Sequence, residues 1–235
     1  MDFEIPILYE DNHLLVIDKP QNMPAQPDIS GDKDALSLLK RYLKKKYDKP
    51  GNVFLGLVHR LDRPAGGVMV FARTSKAASR LTDQMRHRFI KKTYLAVVRG
   101  KTPVSGTLTH NLLKNHDLNI VKSVSPETKK AKKAVLHYTT LETVGSLSLV
   151  SVQLETGRSH QIRVQFSKEG HPLWGDYKYG NNQVNDHQNL ALYSHKLILT
   201  HPTQKQSMIF EAVPPMQYPW TEFTYLQKLK VENDS

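Results

Sequence analysis

Cysteine is absent from the 235 residues. This removes disulfides, thiolate metal sites, iron–sulfur clusters and a cysteine nucleophile, and fits a reducing compartment. Long apolar runs are missing as well: nothing approaches the roughly 20 residues of a membrane span. The N-terminal MDFEIPILYE is acidic where a secretory signal would be basic, so a soluble cytoplasmic protein is expected. Neither a GxGxxG nor a Walker loop occurs, nor HExxH, paired cysteines or a GxSxG elbow. Eleven histidines are present, but none forms a ligand pair with an acidic partner at helical or turn spacing. Neither cofactor nor metal is therefore expected. Acidic residues are also scarce, 22 against 33 Lys and Arg, for a formal charge of +11. Such a balance speaks of partners rather than of fold, and it points to a polyanion: nucleic acid first, an anionic membrane surface second.

The chain is long enough for one large domain or two small ones with a sizeable core. ILYEDNHLLVIDKP, 7–20, gives two apolar runs around a Glu10-Asp11-Asn12 turn and reads as a hairpin ending at Pro20. From Asp34 to Tyr47, Leu36, Leu39, Leu43 and Tyr47 recur at helical spacing, with Lys40, Arg41, Lys44 and Lys45 opposite. VMVFA, 68–72, suits a buried strand. Thr74 is a candidate N-cap for a helix over 75–88, with Ala78, Leu81 and Met85 inward. KKTYLAVVR (91–99), GTLTHNLL (106–113), AVLHYTTLETV (134–144), LSLVSVQLE (147–155), ALYSHKLILT (191–200) and MIFEAV (208–213) read as strands, and WTEFTYLQKLK as a final helix. Short connections favour antiparallel pairing, no regular βαβ rhythm appears, and no boundary is conspicuous. An α+β fold with a large mixed or antiparallel sheet follows.

Two segments are dense in polar chemistry. VHRLDRPAGG places a lone carboxylate, Asp62, between arginines ahead of an apolar strand. Its glycines precede a strand rather than a helix, which argues against a phosphate cradle. LETGRSHQIRVQFSKEGHPLWGDYKYG, 154–180, crowds Arg158, His160, Gln161 and Arg163 into six residues. Periodicity leaves GRSHQIRVQF open: Ile162, Val164 and Phe166 alternate as in a strand, while Ile162 and Phe166 also fit one helix face. KKAKK, 129–133, reads as an exposed loop.

Together these segments resemble the RluA-type pseudouridine synthases. The match covers most of the chain: VIDKPQNMPAQP resembles the family's lysine-proline motif, HRLDRPAGG its catalytic loop, KKTYLAVVRG its tyrosine strand and TGRSHQIRVQFSKEGHPLWGDYKYG its third motif. The resemblance implies the pseudouridine synthase fold, a long, mixed, largely antiparallel sheet with flanking helices and a central active-site cleft. It also implies isomerisation of uridine in ribosomal or transfer RNA to pseudouridine, without cofactor or metal. Asp62 takes the place of the catalytic aspartate and Arg163 that of its salt-bridge partner. Tyr94 matches the tyrosine that packs on the flipped uracil, and Arg60 the arginine that fills the space the base leaves. His59 is expected to support the loop. With Arg158, His160, Gln161, Lys91 and Lys92 it completes the set expected around the RNA. Leu192 to Leu199 and Ile162 are either walls of the base pocket or core. One ionised carboxylate suffices here, where a glycosidase needs two.

Three departures from the usual family pattern stand out: Arg63-Pro64-Ala65-Gly66 after the aspartate in place of threonine-serine-glycine, Ser159 for threonine and Gln165 for histidine. The first motif starts almost at the N-terminus, so a single catalytic domain over 1–235 without an accessory RNA-binding module is expected, acting as a monomer. RNA selection would then rest on the Lys40 to Lys46 face, on Arg86 to Lys92 and on KKAKK. The competing reading is a non-catalytic RNA-binding or chaperone protein on the same fold. A nucleoside hydrolase is weaker, for want of a second carboxylate.

Overall fold

The computed structural model describes residues 5–180 and 189–234. In chain order the strands are β1 (Ile7–Glu10), β2 (Leu14–Lys19), β3 (Gly56–Leu57), β4 (Gly66–Ala72), β5 (Lys91–Arg99), β6 (Ser105–Asn115), β7 (Ile120–Val124), β8 (Lys132–Val144), β9 (Leu147–Leu154), β10 (Leu192–Thr200) and β11 (Ser207–Glu211). The helices are α1 (Ala35–Lys46), α2 (Ser75–Arg86), α3 (Gln161–Lys168) and α4 (Thr224–Asp234), with a 3-10 turn at Trp220–Glu222 before the last. The chain divides into two compact units, Met1–Lys92 with Ser194–Ala212, and Thr93–Tyr193 with Val213–Ser235.

In the first unit the expected hairpin forms. β1 and β2 pair antiparallel, with Tyr9 opposite Val16, and Asp11 closes the turn by accepting from the N–H groups of His13 (2.8 Å) and Leu14 (2.6 Å). β2 then pairs antiparallel with β4, from Leu14 opposite Ala72 to Lys19 opposite Gly67. Every residue of β4 is buried, which is why its sequence is a continuous apolar run rather than an alternating one. Beside β4 lies β10, which carries β11 on its other side.

Both first-unit helices start where their caps predict. Asp34 accepts from Ser37 N–H at 2.9 Å, and Thr74 Oγ1 accepts from Ala77 N–H at 3.1 Å. Their buried faces are turned slightly from the expectation. Ala35, Leu39 and Leu43 fill the α1 face, whereas Tyr47 ends the helix half-exposed with its hydroxyl on Glu10 at 2.6 Å. In α2 Ala77 and Leu81 are buried, while Ala78 and Met85 sit at the margin.

The second unit is an antiparallel meander in the order β5-β9-β8-β6-β7, with Tyr94 opposite Val152. KKAKK is half turn and half strand, since β8 begins at Lys132. β7 was not anticipated: its five residues, IVKSV, form a short run in which only Val121 is buried. Trp220, Phe223 and Leu226 anchor the C-terminal segment through full burial.

Candidate active site

Asp62 lies half-buried in the connection from β3 to β4. Two buried polar residues hold that connection from beneath. His59 Nε2 accepts the Val70 N–H at 3.1 Å while its Nδ1 has no hydrogen-bond partner among the described residues. Burial, with a smaller push from Lys92, drives its pKa well below the ordinary 6.5. A neutral imidazole accepting from the backbone acts as a fastener.

The second residue is Lys19, which is fully buried. Its Nζ donates to the carbonyls of Pro20 (2.8 Å), Met23 (2.8 Å) and Arg63 (3.3 Å), so one ammonium ties the segment after β2 to the residue beside Asp62. Burial lowers its pKa to about 7, against the opposing pull of Asp62 and Asp18. Lys19 was not among the expected site residues. Its signal was its place in the lysine-proline motif.

Arg60 is exposed beside Asp62. Arg63 is exposed too and forms an ion pair with Asp32 and a 3.1 Å hydrogen bond to Ser30 Oγ. The residue that departs from the family pattern thus pins the 28–32 loop. Gly67 explains the second glycine of PAGG. At φ +111 it passes so close to β10 that a Cβ would stand 2.6 Å from Ser194 N. Lys91 is exposed, and Lys92 is partly buried, its pKa lowered to about 8 by that burial.

In the second unit GRSHQIRVQF resolves as helix α3. All six residues Gln161 to Phe166 are buried, so no amphipathic stripe exists for a periodicity to detect. Arg163, 2 % exposed, is clasped by Asp176, with Nε on one carboxylate oxygen and Nη2 on the other at 2.7 Å each. The guanidinium also lies 5.1 Å from the Tyr179 ring centre. Asp176 Oδ1 accepts in turn from the N–H groups of Lys178 (3.0 Å) and Tyr179 (3.2 Å). GDYKYG is therefore the cradle of the arginine, and Asp176 and Tyr179 join the site residues that sequence reasoning did not name.

His160 opens α3 in a left-handed conformation, φ +51, with Nδ1 2.7 Å from the Tyr179 hydroxyl. Gln161, expected near RNA, is 2 % exposed. Its Oε1 accepts from Thr156 Oγ1 and Arg158 N–H at 2.9 Å each, and its Nε2 donates to Val135 O at 3.1 Å. Arg158 is exposed, with Nε on Lys133 O at 3.1 Å. Tyr94 is 6 % exposed in β5. Ile162, Leu192 and Leu199 are buried. Among the described residues no cluster of three His, Cys, Asp or Glu could hold a metal ion, and no helix is long and apolar enough to cross a membrane.

An α+β frame of antiparallel strands thus carries a lone aspartate in a fastened loop of the first unit and a deeply buried arginine in the second. The comparisons give the family. A family model described as RNA pseudouridylate synthase matches residues 13–168, and the chain belongs to that family. A ribosomal large subunit pseudouridine synthase D of Pseudomonas aeruginosa is 33 % identical over 93 % of this chain and 71 % of its own. An uncharacterized RNA pseudouridine synthase of Bacillus subtilis is 35 % identical over 90 % and 69 %. Among solved structures, human RNA pseudouridylate synthase domain containing 4 superposes with a TM-score of 0.75 at 25 % identity, covering 89 % of this chain and 88 % of that one. The domain containing 1 protein, at 21 % identity and a TM-score of 0.76, shares the fold. The protein is thus an RNA pseudouridine synthase, and both the α+β reading and the enzyme reading hold.

Proposed function

We propose that Asp62 is the carboxylate that carries the isomerisation, and that the substrate is a uridine of large-subunit ribosomal RNA. In the reaction the bond from ribose C1′ to uracil N1 breaks, the base turns, and C1′ bonds to C5. The C5 hydrogen leaves as a proton and N1 gains one, so no oxidant or cofactor enters. Arg163 serves as the cation that keeps the carboxylate ionised, Tyr94 as the ring against uracil and Arg60 as the side chain that takes the extruded base's place, at a flipping cost of roughly a few kcal/mol. Arg158, Lys91 and Lys92 hold phosphates, while His59, His160 and Gln161 position the two motifs. The two units work as a single catalytic domain, as a cytoplasmic monomer.

The observation that carries this reading is the Asp62 loop itself: a single carboxylate stands on a loop secured by a buried lysine and a buried neutral histidine. Rigid support of one reacting group is what a positioned nucleophile or base requires. The choice of ribosomal RNA rests on the names of the Pseudomonas relative above and of a ribosomal large subunit pseudouridine synthase C of Buchnera aphidicola, 34 % identical over 88 % of this chain. Carbodiimide mapping of ribosomal RNA from cells lacking the protein tests it. A stop that disappears in the deletion strain and returns with the native chain, but not with Asp62→Asn, is expected. An unchanged ribosomal map alongside a lost transfer RNA stop would move the substrate, and restoration by Asp62→Asn would remove the aspartate's role.

A further inference from the structure

The first unit carries a groove that no step of the isomerisation uses. It encloses about 770 Å³ between the outer side of α2, Phe89 beyond its end, and the turn from β10 to β11. Its walls are fixed. Gln84 spans them with both amide atoms, Nε2 donating to Thr200 O (2.8 Å) and Oε1 accepting Thr200 N–H (3.0 Å). Arg80 Nη1 donates to Pro202 O at 2.6 Å. His201, 1 % exposed, donates from Nε2 to Asp11 Oδ2 (2.8 Å) and accepts the Gln204 N–H (2.9 Å) at Nδ1, which locks the turn.

The lining is cationic and carries an aromatic face. Arg80, Arg86 and Lys205 stand against a single carboxylate, Asp83. Asp83 pairs with Arg86 on the surface, while Arg80 and Lys205 face no carboxylate among the described residues. Phe89 is 66 % exposed, and its ring is stacked on His87 with centroids 5.8 Å apart and planes within 24°. The C-terminal half of α2 turns carbonyls rather than N–H groups toward its end, so anion affinity here rests on the side chains. An exposed aromatic ring among cations along a groove suits single-stranded nucleic acid: a base stacks, phosphates meet charges, and sequence is not read.

We propose that this groove binds a single-stranded RNA segment, one base stacking on Phe89 and the adjoining phosphates meeting Arg80, Arg86 and Lys205. β4 fixes its distance from Asp62. The aspartate loop leads into Gly66, whereas the groove stands near Ala72, which pairs with Leu14 of the hairpin whose Asp11 holds His201. Along a strand of that length the separation is roughly 20 Å. The bound segment therefore lies several nucleotides from the base that reacts. That it flanks a target uridine rests on the proposed function, whereas the affinity for single-stranded RNA does not.

The test uses the full chain in an Asp62→Asn background, with two labelled RNAs: a target stem-loop carrying a single-stranded flank and the same stem-loop without it. Phe89→Ala is expected to bind the flanked RNA roughly ten-fold more weakly and the unflanked RNA as before. Lys205→Gln is expected to flatten the log-log salt dependence for the flanked RNA by about 0.7. Thermal melts check that both variants fold as the parent does. An undiminished affinity for the flanked RNA, or an equal loss on both RNAs, overturns the proposal and leaves the groove to a protein partner. The outcome separates from that of the proposed function. Flank-dependent binding, with no tritium release from uracil C5 by the chain that retains Asp62, would retain the groove and remove the reaction assignment, and release by that chain with flank-independent binding would do the reverse.

Discussion

Replacing Lys19 with methionine tests how the aspartate loop is held. Methionine matches the lysine stem, so the change removes a charge and three donors without opening a large cavity. The two short bonds, to Pro20 O and Met23 O at 2.8 Å, leave acceptors that cost about 1–3 kcal/mol each when buried unpaired. Relief from burying an ammonium offsets part of that loss, since burial has already lowered the group's pKa from 10.5 to about 7. A net loss of about 2–3 kcal/mol follows, read as a lower urea midpoint with an unchanged slope. Because Lys19 is inaccessible to RNA, kcat should fall while KM for RNA stays near native. The pH dependence carries a sign. The folded pKa lies below the unfolded one, so between about pH 7 and 10.5 the unfolded chain binds more protons. Stability from this group rises with pH across that window and sits at its minimum below it. The native-minus-variant difference in urea midpoint should therefore climb from pH 7 toward 10. A variant with native stability and native kcat, or a difference that stays flat with pH, would refute the reasoning.

The remaining predictions concern other fasteners. His59 contributes stability above about pH 6.5, and this is lost as acid protonates the unfolded chain first. His59→Leu should therefore blunt the acid side of the stability profile and cost about 1–2 kcal/mol at pH 8, through the orphaned Val70 N–H. Asp176→Asn breaks the buried clasp on Arg163 and is expected to cost about 3–5 kcal/mol in denaturant titrations. Gly67→Ala adds a Cβ against the Ser194 backbone at φ +111. An expected loss of about 3 kcal/mol or more should leave little soluble protein at 37 °C, and a native melting temperature would show that β10 can yield.

How far the sequence could be read depended on whether a residue's role left a pattern. The hairpin of β1 and β2, the caps Asp34 and Thr74, and strands β4, β5, β8 and β9 were legible because a capping oxygen imposes a local residue choice, and a strand buried on one face or on both leaves an alternating or a continuous apolar run. α3 was not. Its residues are buried all round, with the amide nitrogens of Gln161 and Gln165 donating to carbonyls of β8 and β6, so neither period 2 nor 3.6 stands out. β7 escaped for another reason, since it is only five residues long and all but Val121 are at most half-buried. At the site, Asp62 and Arg163 were found through motif resemblance, and no composition argument singles them out. Lys19, Asp176 and Tyr179 lay inside the quoted motifs, but they touch other protein groups, and nothing in the pattern names those partners. Their part emerged only once Nζ was seen on three carbonyls and the carboxylate on the guanidinium.

The central claim is that Asp62 converts uridine to pseudouridine in RNA. Tritium release from RNA labelled at uracil C5 tests it, with RNA taken from cells lacking the protein and native and Asp62→Asn chains compared side by side. Forming the carbon–carbon bond must expel that hydrogen, so release reports the reaction although substrate and product have equal mass. Release by the native chain alone, with both chains binding the RNA equally, is the predicted result. Release by both chains would contradict the role of Asp62. Release by neither, with tight salt-sensitive binding retained, would contradict catalysis and favour an RNA-binding protein on this fold.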